Sequence, residues 1–170
     1  MLQSLEELSN KDSLTGLFNR RYFENYIASF FKEEKEGIHS IVLCDIDYFK
    51  SINDKYGHFV GDAVIKHVAN IINNGIKAEK VFVRFGGDEL MIFLPYRSAK
   101  QSYAIAEAFR KEVEQQTLLV KEYKVGVTIS IGISSFQHHH DLSNTIIKAD
   151  QALYQAKEQG RNQVAITEEN

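Results

Sequence analysis

Two apolar runs, VFVRF at 81–85 and LMIFL at 90–94, stand either side of Gly86-Gly87-Asp88-Glu89. Runs of that length rich in aromatic and β-branched residues, split by a short glycine-bearing polar loop, have the pattern of a β-hairpin. The chain must therefore build a sheet containing at least one antiparallel pair, and Pro95 closes the second run. A plain hairpin turn gains nothing from two adjacent acids, which repel each other. The two glycines allow positive φ and let another backbone or a ligand come close. The loop is thus a structural constraint and a candidate site together.

Around the hairpin, helical and strand patterns alternate. Residues 40–44, SIVLC, form an apolar run ending at Asp45, as expected of a strand covered on both faces. Val125, Val127, Ile129, Ile131 and Ile133 alternate with Gly126, Thr128, Ser130 and Gly132, the period of a β-strand. Helical spacing groups Phe23, Tyr26, Ile27 and Phe30 ahead of Gly37, and Val64, Val68, Ile71 and Ile72 over 62–74 ahead of Gly75. Two more helices are expected at 99–116 and 142–159, then a short edge strand at 163–166. Hairpins mixed with crossover helices predict an α+β fold, a ferredoxin-like plait with a mixed central sheet of about five strands, flanking helices and a peripheral edge strand. At 170 residues a single domain is expected, with residues 1–10, MLQSLEELSN, as the end of an upstream connecting helix and 11–170 as the folded unit.

Composition excludes several classes. Twenty Lys+Arg against 23 Asp+Glu leave no basic excess to neutralise a nucleic-acid backbone, so no nucleic-acid partner is expected. No apolar run approaches the roughly 20 residues of a membrane helix, and the N-terminus lacks the apolar core of a secretion signal. Neither membrane insertion nor secretion is therefore expected of this segment. The single cysteine, Cys44, forms no internal disulfide and fits a reducing, cytoplasmic setting.

Asp45-Ile46-Asp47 falls where a buried strand ends, and carboxylates there can hold a hard cation such as Mg²⁺ together with substrate phosphates. Taken alone, such a pair reads as two solvated aspartates in a turn. Were the hairpin to lie beside this strand, four carboxylates would converge on one rim, an unfavourable cluster unless a divalent cation neutralises it. Lys50 opens a helix nearby, where its ammonium and backbone N–H groups could face an anion. Lys157 and Arg161 close the last long helix, a place where the helix dipole alone favours cations. Asn53, His58 and Asp62 are spaced through a turn and a helix start. Asp62 reads as an N-cap or, with Asn53, as a reader of a guanine edge. His138-His139-His140 falls in a polar loop without evident metal partners.

Five segments, DSLTGLFNRRYF (12–23), DIDYFKSINDKYGHFVGD (45–62), RFGGDEL (84–90), VTISIGIS (127–134) and ADQALYQAKEQGRN (149–162), resemble in order and spacing the GGDEF domain of diguanylate cyclases. That resemblance implies a fold of the nucleotide-cyclase and polymerase-palm type, with 11–170 as the catalytic domain. It also implies an enzyme that condenses two GTP into cyclic di-GMP, releasing two pyrophosphates. It implies Asp45, the Ile46 carbonyl and Asp88 as metal ligands for two Mg²⁺ or Mn²⁺ per site, and Asp88 as proton acceptor, with Glu89 a second essential acid. Asn53 and Asp62, with His58 close by, would read guanine. Lys50, Lys157, Arg161 and the main chain around Tyr48 and Phe49 would hold the triphosphate, with Gly86 and Gly87 leaving room for the nucleotide. Catalysis would need a homodimer, one GTP per domain, controlled by an upstream sensor. Two departures stand out: Leu90 replaces the signature Phe, and Lys77 and Lys80 stand where the family's Arg/Asp product-inhibition pair would fall. The alternative is an idle GGDEF domain that binds GTP and regulates a partner.

Overall fold

In the computed structural model, residues 9–33 and 36–167 are described. The connecting helix expected at 1–10 lies outside them apart from Ser9 and Asn10, which are helical. The elements run α1 (Arg20–Phe30), β1 (His39–Ile46), α2 (Phe49–Tyr56), α3 (His58–Gly75), β2 (Val81–Gly86), β3 (Glu89–Leu94), α4 (Ala99–Gln115), β4 (Leu118–Val120), β5 (Tyr123–Val125), β6 (Ile129–Phe136), α5 (Leu142–Glu158) and β7 (Val164–Ile166).

The five-stranded sheet has the order β2-β3-β1-β6-β7. Its first four strands pair antiparallel, and β7 joins β6 in parallel at the edge. The expected α+β plait is therefore present. Strand alternation sorts the core into two layers. Val42, Cys44, Ile46, Leu90 and Ile92 pack against Val64, Val68 and Ile72 of α3 and Phe109 of α4. Ile41, Leu43, Met91 and Phe93 face Phe23, Ile27 and Phe30 of α1 and Ala149 and Leu153 of α5. Helix α5 lies on β6 so closely that a Cβ at Gly132 would stand 2.2 Å from both the Ala149 carbonyl oxygen and the Leu153 nitrogen. Among the described residues no helix is long and apolar enough to cross a membrane.

Three expectations need correction. The helix expected from 62 begins at His58, and a separate helix, α2, precedes it across Gly57 at φ 88°. The corner is made by backbone conformation and not by a capping side chain, so Asp62 is an interior residue of α3 and no N-cap. The alternating run at 125–133 is split, with Val125 ending the β4–β5 hairpin and the sheet strand starting at Ile129. That hairpin turns at Lys121, which holds φ 52° without the usual Gly or Asn signal. Lastly, β2 and β3 extend to Gly86 and Glu89, so that only Gly87 and Asp88 form the turn between them.

Candidate active site

Register fixes the centre of the site. Strand β1 pairs with β3 so that Asp45 stands opposite Glu89, one residue from the hairpin tip that carries Asp88. Gly86 and Gly87 hold φ 146° and 53°, which a side chain would strain. The tip is anchored from behind. Arg84 donates through Nε and Nη2 to the Gly87 carbonyl at 3.0 and 2.8 Å, and its Nη1 pairs with Asp12 at 3.0 Å. Asp12 in turn accepts from the Thr15 amide and hydroxyl. The sequence offers Asp12 only as an N-cap for a short turn and gives Arg84 no role of its own. Their side chains meet across 72 positions, beyond the reach of any local spacing rule.

Burial, then the Asp45 charge, pushes the Asp88 carboxyl above its ordinary value. A carboxyl that resists ionising beside another is the electrostatic mark of a place awaiting a cation. The Lys157 ammonium, at the end of α5, hydrogen-bonds Asp45. Burial pulls its proton affinity down, but Asp45, Asp88 and Asp47 together hold it above the ordinary value. Among the described residues no three acidic, His or Cys side chains gather into an all-protein metal cage. Mg²⁺ needs none, since it is usually bound by one or two carboxylates plus phosphates and water. The paired carboxylates of Asp45 and Asp88 fit that donor set. Asp45 and Glu89 also open onto a groove of about 460 Å³ lined by Arg20, Phe85 and Asp150. The larger concavity, about 1030 Å³, lies by Phe31 and His138–His140 and includes none of the acidic rim.

Asp47 does not join the rim, contrary to the four-carboxylate expectation. It is buried and accepts from Thr128 Oγ1 at 2.7 Å, Ser130 Oγ at 2.6 Å and the Asn162 amide at 3.0 Å. Thr128 and Ser130 are the polar positions of the alternating run, and α5 covers that side, so that Ser130 is buried.

The nitrogen-rich corner forms where β1 gives way to α2. Tyr48 takes the left-handed conformation at φ 57° and starts the helix, which brings Phe49 and Lys50 into its first turn. Arg161, itself at φ 63°, sets its guanidinium 4.7 Å from the Tyr48 ring centroid. Asn53 leans across the α2–α3 corner so tightly that a Cβ at Gly61 would fall 1.8 Å from its Oδ1. Asn53 therefore packs on α3 at the residue that precedes Asp62, with His58 exposed at the start of the same helix. Gly61 leaves the room that the Asn53 side chain fills, and a helical glycine carries no signal in the sequence of what leans on it. Leu90 is buried in the first core layer, as a large apolar residue in the Phe position should be. Lys80 donates its ammonium to the Ile76 carbonyl at 2.8 Å.

A family profile described as "Diguanylate cyclase, GGDEF domain" matches residues 9–163. The chain is 38% identical over 173 residues to Diguanylate cyclase A of Treponema denticola, covering 98% of this chain and 46% of that protein. It is 39% identical over 168 residues to the probable diguanylate cyclase DgcT of Escherichia coli, covering 97% of this chain and 37% of that one. The chain thus spans less than half the length of these relatives. The crystal structure of the coiled coil and GGDEF domain of DgcB from Caulobacter crescentus, in complex with c-di-GMP, superposes with a TM-score of 0.86 at 28% identity, covering 97% of this chain and 89% of that one. The sequence motifs, the plait and the acidic hairpin tip lead to one placement: the chain belongs to the GGDEF domain family.

Proposed function

We propose that this chain is a diguanylate cyclase domain that condenses two GTP into cyclic di-GMP and two pyrophosphates. The observation that carries the reading is the register of β1 on β3, which sets Asp45 opposite Glu89 with Asp88 at the adjoining tip. Asp45, Asp88 and the Ile46 carbonyl would hold two Mg²⁺ or Mn²⁺. Bound there, the ions would supply Lewis-acid neutralisation of the charge on the reacting phosphates.

The chain's own groups do the rest. Asn53 and Asp62 would read the guanine edge: the Asp62 carboxylate accepts from the N1–H and exocyclic amine that adenine does not offer. Lys157, Arg161 and Lys50, with the main chain at Phe49, would hold the triphosphate. Asp88, at the hairpin tip beside Asp45, would take the proton of the attacking ribose 3′-hydroxyl. The new bond joins that oxygen to the α-phosphorus of the other GTP, the bond to the β-phosphate oxygen breaks, and pyrophosphate leaves. Glu89 supports the same rim. With one GTP per domain, two copies must face each other, so a homodimer is required and an upstream sensor segment would set how often they meet. Lys77 and Lys80 lack the carboxylate that a paired Arg/Asp product site would have, which supports synthesis free of that feedback.

Concentrated protein incubated with GTP and Mg²⁺ tests this. Cyclic di-GMP and pyrophosphate should form in a 1:2 ratio, with specific activity rising with protein concentration and no product from ATP alone. Equal turnover of ATP removes the guanine assignment. Specific activity independent of dilution removes the dimer requirement.

A further inference from the structure

We propose that Asp47 and Arg110 are positioning residues that aim Arg161 at the triphosphate, an inference that rests on the nucleotide reading above. Arg161 and Asn162 are consecutive non-glycine residues in the left-handed region, at φ 63° and 48°. That backbone is unfavourable for residues with a Cβ and persists only where its surroundings over-determine it. Here they do so from two sides. The Asn162 amide donates to Asp47 at 3.0 Å, and its side-chain Oδ1 accepts from Arg110 Nη1 at 2.7 Å. Arg110 is itself fixed, since Glu107 accepts from its Nε and Nη2 at 2.9 and 2.7 Å and Glu114 from its Nη1 at 2.8 Å. The Arg161 amide donates to the Ala156 carbonyl at 2.9 Å, which ties the turn to the end of α5.

The choice of an acid at 47 points the same way. Its carboxylate receives two hydroxyls and one backbone N–H, donors that an acceptor-only group satisfies together. An amide would turn an NH₂ toward one of them. Burying a carboxylate is unfavourable, and a simple tie between β1 and β6 is already made by the Asp47 amide, which donates to the Thr128 carbonyl at 2.9 Å. What the carboxylate adds is its grip on the turn bearing Arg161, whose guanidinium then stacks on Tyr48 at the corner where phosphates would enter. In the sequence Asp47 joins the acidic rim only if all four carboxylates converge there. Its geometry gives it the opposite task, holding the cation side of the site.

The test compares binding of a non-hydrolysable GTP analogue and of GMP by titration to wild type, Asp47→Asn, Arg110→Gln, Arg161→Ala and the two double variants. GMP offers the base and one phosphate and lacks the terminal phosphates that Arg161 would reach. Loss of a well-placed charge-assisted contact should weaken the GTP analogue about tenfold in either single variant, with GMP affinity changed less than about twofold. In the Arg161→Ala background neither substitution should weaken the analogue further. A merely structural role would move both nucleotides alike, or neither, and would persist without Arg161. Should Asp47→Asn fail to fold, Arg110→Gln at the outer end of the network decides the matter. Wild-type binding with an unchanged analogue-to-GMP ratio in the folded variants overturns the positioning role. A wild type that binds neither nucleotide overturns the GTP reading, and this proposal with it.

Discussion

Replacing Gly132 with Ala probes the packing that carries the cationic half of the site. The new methyl would stand 2.2 Å from the Ala149 oxygen and the Leu153 nitrogen and 2.8 Å from the Leu153 Cα. These are main-chain atoms of α5, so no rotamer change relieves the contact, and the helix must retreat from β6 by about 1 Å to restore ordinary separation. Forced overpacking of this kind costs about 3 kcal/mol. For a chain of this size that corresponds to a fall in melting temperature of about 6–12 °C. Helix α5 also carries Lys157 and leads into the Arg161 turn, so the same displacement pulls both cations off the β1 rim. A misplacement of about 1 Å in a preorganised site lowers turnover by about 100-fold. Gly126→Ala is the control, since a Cβ there meets nothing within 4 Å, and its stability should stay within about 0.5 kcal/mol of wild type. Calorimetry and a pyrophosphate-release assay read both effects. A Gly132→Ala protein that melts and turns over like wild type would refute the claim that close packing of α5 on β6 places Lys157.

Three other perturbations follow from particular contacts. Gly61→Ala drives a methyl into the Asn53 amide, so GTP affinity should fall at least about tenfold with a small change in melting temperature, and unchanged affinity in titration would contradict the guanine role of Asn53. The Asp88 carboxyl has a raised pKa, so its ionised form opposes folding at neutral pH. Asp88→Asn should therefore melt higher than wild type without divalent ions and make no cyclic di-GMP; a lower melting temperature would speak against repulsion at the rim. Burial raises the Asp12 pKa, but the Thr15 and Arg84 hydrogen bonds outweigh it and leave the value below the ordinary 3.8. Its stabilisation is thus present above about pH 4 and lost as pH falls through the lower folded value. Asp12→Asn should flatten that limb of a melting-temperature profile, and an unchanged acid limb would refute the assignment.

The fold was legible where hydrophobic period and turn chemistry agreed. The VFVRF and LMIFL runs with their glycine loop became β2 and β3, and SIVLC became the heart of β1. It was illegible where backbone conformation replaced a side-chain signal. Tyr48 and Lys121 make their corners at positive φ without being Gly or Asn, so α2 shows in the pattern only as a helix opening near Lys50, and the β4–β5 hairpin left no trace. The acids of the rim could be anticipated because unpaired charge at a hairpin tip has no structural benefit. Asp47 could not be sorted from Asp45, since alternation stops at the end of β1 and only the fold shows which carboxylate meets hydroxyls. Arg110 and Asn162, 52 positions apart, meet through tertiary packing alone.

The most direct measurement is anomalous diffraction from crystals grown with Mn²⁺ and a non-hydrolysable GTP analogue. Mn²⁺ should appear at coordination distance, about 2.1 Å, from carboxylate oxygens of both Asp45 and Asp88, bridged to the analogue's phosphates. Peaks only elsewhere, or an analogue bound with neither carboxylate in contact with the ion, would contradict the claim that the end of β1 and the hairpin tip together hold the nucleotide's metal.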